Sequence, residues 1–252
     1  MSRGLTILGL ALIGGWAPAL GLGSTAGAEP ARPLRVWVVG DRGFHDYTRL
    51  TPGWVAGLTN NLGAVVTVAT NRQELTNATF AAAADVVVYD LCFDEADASV
   101  LAAMRRRIEG GQGAVLLHCA VHAFGRFDHT PEECCGPLPD MDAQLPRFSV
   151  RRVEAAAAPL SQDWPTEWTT PGGEPERRTS PPSGAQRLLV AGPGGQTPAR
   201  VAAWTEKPGR GRIFALSLGH TAATMAEPHY QRLLAKGVRW AAGREETPPA
   251  GP

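Results

Sequence analysis

Lysine is nearly missing from this sequence of 252 residues: only Lys207 and Lys236 occur, and arginine supplies the other positive charges. Basic and acidic residues balance at 24 each, so there is no surplus of positive charge to hold nucleic acid or an anionic membrane. The densest basic run, Arg105-Arg106-Arg107, falls inside a helical pattern and reads as that helix's solvated face. A Cys-x-x-Cys pair is missing too, which removes the usual spacing of a structural zinc site. No apolar stretch beyond the first 28 residues approaches the ~20 residues of a membrane helix, so no span is expected in the mature protein. There is no internal repeat, and the length suits one sizeable core better than two.

What is present begins with an export pattern. Arg3 precedes an apolar run from Leu5 to Leu22, interrupted by Gly14, Gly15 and Pro18, and Ala26-Gly27-Ala28 supplies the small-x-small site of signal peptidase. The expectation is a cleaved signal over 1–28, a linker over 29–33, an α/β domain over 34–242 and a loose tail over 243–252. Localisation would be periplasmic or secreted. An oxidising compartment permits disulfides among Cys92, Cys119, Cys134 and Cys135, and a bridge from Cys134 or Cys135 to Cys92 or Cys119 is the expected arrangement.

The mature chain alternates strand and helix signals. The apolar run at 34–39 reads as a buried strand, and 64–69, 85–90 (rich in β-branched residues) and 113–118 read as the next three strands. Helices are expected over 52–62, ending at Gly63, and from an Asp94 cap through Val100, Leu101, Met104 and Ile108 to Gly110-Gly111. Such alternation predicts an open, mainly parallel sheet with helices on both faces. The stretch 155–185 reads as a long loop, and 148–153, 187–190, 200–204 and 212–218 read as later strands. A last amphipathic helix carries Tyr230, Leu233, Leu234, Gly237 and Ala241 on one face.

Ligands of open α/β sheets gather at the carboxyl ends of the strands. There the sequence places Asp41, Phe44 and His45 after the first strand, and Asp90 and Cys92 after the third. It places His118, Cys119 and His122 after the fourth, and Ser217 and His220 at the last. Imidazole exchanges protons near neutral pH and binds zinc-like ions. Convergence of His45, His118 and His220 would therefore make an acid–base site or a site for a divalent metal.

Three segments in order carry a resemblance. Arg42-Gly43-Phe44-His45-Asp46-Tyr47, Gly113 to His118 followed by Ala120, and Arg210 to His220 resemble motifs of ThuA-like (trehalose-utilisation-type) proteins. Pro228 and Gly237-Val238-Arg239-Trp240-Ala241 are similar to that family's closing segment, so the likeness runs from Leu34 to Ala242. The resemblance implies the flavodoxin-like fold of class I glutamine amidotransferases and a small-molecule carbohydrate, or an oxidised derivative of one, as partner. It also implies that His45, His118 and His220 are the residues to carry over, with Asp41, Phe44, Asp90 and Cys119 as substrate contacts.

Three readings compete. The first is a carbohydrate-active hydrolase or lyase working through the strand-end histidines, with or without a metal. The second is a non-catalytic sugar-binding or scaffold protein, with Trp164, Trp168 or Trp204 stacking on sugar faces. It draws on Ala158-Pro159 and Thr221, which stand where His-Pro and Asp are common in the family. The third is a thiol hydrolase with Cys119 at the amidotransferase elbow and His220 as base, although Leu117 and Val121 replace the small residues an elbow prefers.

Overall fold

The computed structural model describes residues 32–40, 47–77, 83–93, 97–123, 147–153, 159–161, 163–171, 181–192 and 200–244. The expected signal segment, Asp94, Cys134, Cys135 and the tail beyond 244 lie outside the described residues.

Short apolar runs, β-branched in the first three, form the first strands: β1 (Arg35–Val39), β2 (Val65–Ala69), β3 (Val86–Tyr89) and β4 (Gly113–Leu117). Every residue of β3 and β4 is buried, as interior strands covered on both faces require. β2 forms one edge of the sheet and leaves Val65 and Val68 exposed. The later strands are β5 (Ser149–Arg152), β6 (Glu167–Thr169), β7 (Gln186–Gly192), β8 (Arg200–Glu206) and β9 (Arg212–Leu216). All nine join one sheet in the order β2-β1-β3-β4-β9-β8-β7-β5-β6.

The sheet is mixed, which corrects the expectation of a mainly parallel one. From β2 to β9 the neighbours run parallel, and from β9 to β6 every pairing is antiparallel. Chain length between strands is the cause. A parallel return needs a crossover of about a dozen residues or more, whereas 193–199 and 207–211 are too short for one. β6 is a second correction, because it lies within the stretch read as loop. Its three residues are too few to show a period, and pairing of Trp168 opposite Val150 defines it instead.

Helix α1 (Tyr47–Leu62) begins five residues ahead of its sequence expectation and ends at Gly63, whose φ of 58° closes the last turn. Helix α2 (Ala98–Glu109) buries Val100, Leu101, Met104 and Ile108, leaving Arg105 and Arg106 exposed as expected. Asp97, not Asp94, stands at its cap, and it makes no capping bond because its carboxylate takes Arg72 Nη1 at 2.5 Å. A short helix, α3 (Ala222–Met225), leads into α4 (Pro228–Ala241), where the Glu227 side chain accepts from the Tyr230 amide at 2.9 Å.

Two adjacent residues of β9 show how the helices flank the sheet. Phe214 lies beneath Gly237 of α4, so close that a side chain there would enter the ring. Ile213 faces the other way and lines a cavity of about 200 Å³ with Ile108 of α2. Neighbouring strand residues point to opposite faces, so α4 and α2 cover opposite sides. Among the described residues no helix is long and apolar enough to cross a membrane.

Candidate functional site

The parallel half of the sheet ends in a buried polar cluster. The β4 backbone leaves its strand at His118, the one non-glycine with positive φ (45°) among the described residues. That conformation costs a β-carbon residue about 1–2 kcal/mol, so surrounding contacts must hold it. Those contacts are specific. His118 Nδ1 lies 3.0 Å from the Ser217 carbonyl at the end of β9, and its Nε2 lies 3.1 Å from His220 Nδ1. The rings meet edge to face, with centroids 5.0 Å apart.

The carbonyl fixes the protons of this chain. A carbonyl only accepts, so His118 carries its proton on Nδ1, and in the neutral ring Nε2 is then an acceptor. His220 must donate from Nδ1 to it, which leaves His220 Nε2 as the basic nitrogen of the pair. His118 is fully buried and His220 is 4% exposed, so His220 is the member nearer the outside. Neither motif spacing nor composition shows this relay, because its members are about a hundred residues apart and meet only across the β4–β9 pairing.

Asp90, just past β3, is fully buried on the α1 side. Its Oδ2 accepts from Thr51 Oγ1 at 2.8 Å and from Trp54 Nε1 at 3.1 Å, while Oδ1 is buried and takes no hydrogen bond. Burial pushes its pKa up to about 7, against the two hydrogen bonds and the nearby His118, which favour the carboxylate. Gly40, at the end of β1, admits this arrangement: a β-carbon there would sit 2.6 Å from Thr51 Oγ1. Tyr230 of α4 is buried above, and its hydroxyl packs against Gly219, where φ is 108°. Burial, and then the charge of Asp90, raises the Tyr230 pKa well above that of an exposed phenol.

A third buried group adjoins these. The Tyr47 hydroxyl, at the start of α1, lies 3.5 Å from Cys92 Sγ and also hydrogen-bonds Cys119. Burial, followed by the charges of Cys119, Cys92 and Asp90, raises the Tyr47 pKa well above the ordinary range.

The structure therefore brings together Asp90, Cys92, Cys119, His118, Ser217 and His220 at the strand ends. Asp41, Phe44 and His45 lie outside the described residues. Thr51, Trp54, Tyr47 and Tyr230 were not singled out for this site from sequence. They reach it from helix faces that show only an apolar period.

Several expectations change. Cys92 and Cys119 do not bridge each other and both lie buried against Tyr47, while the bridge expected to Cys134 or Cys135 falls on residues outside the described ones. The strained elbow position is His118, one residue before Cys119, so the geometry of an elbow nucleophile is not met at Cys119. Trp164, Trp168 and Trp204 are all buried in the hydrophobic core and present no face for a sugar. A metal does not fit His118 either, since both its ring nitrogens are engaged in the relay. Among the described residues no three His, Cys, Asp or Glu side chains gather as a metal-holding group.

Comparison with known proteins agrees with this architecture. A family model described as ThuA, trehalose utilisation, matches residues 35–241. A ThuA-like protein from Parabacteroides merdae superposes with a TM-score of 0.66 at 17% identity, covering 87% of this chain and 93% of that one. A ThuA-like protein from Bacteroides uniformis gives a TM-score of 0.59 at 15% identity, covering 85% and 94%. A glutamine amidotransferase from Thermotoga maritima shares the fold with a TM-score of 0.53 at 9% identity, covering 83% and 98%. No curated protein matches the sequence.

Proposed function

The chain belongs to the ThuA family, and from that premise we propose that it performs proton transfer on a carbohydrate or an oxidised sugar derivative, with His220 as the general base. The observation that carries this reading is the Ser217 carbonyl–His118–His220 relay, held at a backbone position strained enough to need a reason. His220 Nε2 takes the substrate proton. His118 fixes the tautomer and orientation of His220 and shares the charge that forms, a service that a hydrogen-bonded second group supplies to many catalytic imidazoles.

The substrate class comes from the family and from the motifs around His45, His118 and His220. His45 completes the set in this reading, with Asp41 and Phe44 contacting the sugar. In this reading Asp90, fully buried and held by Thr51 and Trp54, acts without touching substrate, while Cys119 stays a candidate substrate contact. The amino-terminal run 1–28 is proposed as an export signal, which amino-terminal sequencing of protein recovered from the periplasm tests by a start at Glu29.

The test of the reaction is solvent-deuterium incorporation and turnover over a panel of plain and oxidised sugars, compared between the wild type and His220→Gln. Loss of a general base lowers turnover by about 10²–10⁴-fold. Exchange that proceeds equally in His220→Gln removes His220 from the reaction. Sugars that bind without exchange or turnover assign the protein to the binding class instead.

A further inference from the structure

A buried carboxylate needs a compensating charge or it takes up a proton. Asp90 has no arginine or lysine for this purpose among the described residues. Every element packed around it offers something else. From α1 come Thr51 and Trp54, both donating to Oδ2, with the Tyr47 hydroxyl nearby. The Cys92 thiol follows two residues on, in the segment after β3, and α4 contributes the Tyr230 phenol. From β4 comes His118. The register Tyr89↔Leu116 sets Asp90 beside Leu117, one residue before that histidine.

Of these groups only the imidazole pair can become a cation. Thr51 and Trp54 meanwhile hold Oδ2 as an acceptor, the arrangement that suits the ionised form. The remaining oxygen, Oδ1, is buried without a hydrogen bond. The carboxylate is thus fixed in place and lacks a counter-charge whenever the imidazoles are neutral.

We propose that Asp90 is the counter-charge of the His118–His220 pair, a positioning residue that touches no substrate and stabilises the imidazolium formed when His220 takes a proton. When His220 is ready to accept a proton, Asp90 is ionised and both imidazoles are neutral. Uptake of a proton at His220 then forms the cation opposite the Asp90 carboxylate, and the two charges compensate each other. This goes further than the reaction proposed above and rests on the same histidines.

The test reads the imidazoles directly and needs no substrate. In ¹⁵N-histidine-labelled protein, the signals of His118 and His220 are identified by His118→Gln and His220→Gln and followed through pH. Removing the counter-charge in Asp90→Asn is expected to lower the midpoint of the pair's titration by about one unit or more, a tenfold loss of proton affinity. Trp54→Phe leaves the carboxylate but takes away a donor that favours its ionised form. It is expected to move the midpoint the same way by a few tenths, and it carries the test if Asp90→Asn does not fold, as judged by near-ultraviolet circular dichroism. A restored midpoint in Asp90→Glu supports a role for charge rather than shape. Midpoints unchanged in folded Asp90→Asn, or unchanged in Trp54→Phe when that variant alone folds, overturn the proposal. Failure of His220→Gln to lower turnover would instead overturn the reaction and leave this titration result standing.

Discussion

The two halves of the sheet bury different chemistry. In the parallel half, from β2 to β9, the carboxyl ends of the strands enclose the Asp90 carboxylate, two imidazoles, two thiols and the three phenols of Tyr47, Tyr89 and Tyr230. In the antiparallel half, from β8 to β6, the buried polar groups among the described residues include the hydroxyls of Ser161, Thr170 and Thr205 and the Trp164 indole N–H, and no carboxylate or imidazole. A buried hydroxyl is satisfied by one nearby carbonyl, as Thr170 is by Phe148. A buried carboxylate or imidazole is costly unless its surroundings are arranged around it. The difference teaches that the parallel ends are organised around titratable groups, whereas the antiparallel strands extend the core and widen the sheet.

The largest expected effect separates packing from proton chemistry. Leu189→Ala, in β7, removes a fully buried side chain and should destabilise the protein by about 2–5 kcal/mol. The imidazole titration should stay where it was. A midpoint shift in a folded Leu189→Ala protein would mean that the two halves are energetically coupled.

Next comes a dependence on pH that only the parallel half should show. Because the folded carboxyl of Asp90 is raised to about 7 from an ordinary value near 4, the native state holds a proton that the unfolded chain releases. Its contribution is fully present below the unfolded pKa and is lost as pH rises through about 7. Asp90→Asn cannot ionise, so its stability relative to wild type should improve between pH 4 and pH 8, by up to about 4 kcal/mol. Denaturant melts at the two pH values measure this, and a constant difference would show that Asp90 does not change its proton affinity on folding.

A smaller effect concerns the elbow. His118→Ala and His118→Gly both delete the ring, yet only glycine relaxes at a φ of 45°. Glycine should therefore be the more stable of the two by about 1 kcal/mol, the reverse of its usual ranking. Alanine proving the more stable would show that the backbone there is not strained. The smallest effect is one of access: Cys92 and Cys119 should react with an alkylating reagent only as the protein unfolds. Rapid labelling of Cys119 in the native protein would return thiol chemistry to this site.

Much of the fold could be read from the chain. The apolar runs of β1, β3 and β4, and the face of α4 carrying Tyr230, Leu233, Leu234, Gly237 and Ala241, follow from local period and propensity; β3, β4, that helix face and the valines of β1 are buried. β6 could not be read this way, since three residues carry no period and Trp168 becomes a strand residue only through its partner on β5. The direction of the late strands was equally hidden. Strand signals do not encode orientation, and only connection lengths such as 207–211 limit it.

Of the site, the sequence determined which titratable residues stand at strand ends, because a strand's terminus and the residue after it are local features. His118, His220, Asp90 and Cys119 were found in this way. Tertiary structure alone decided what those residues do to one another. It set the Ser217 carbonyl against His118, so fixing both tautomers, and turned the elbow at His118 rather than Cys119. It also placed Thr51 and Trp54 on Asp90 and closed Tyr47 over the two thiols. The physical reason is that proton affinity and hydrogen-bond direction depend on neighbours within a few ångströms, and here those neighbours come from distant parts of the chain.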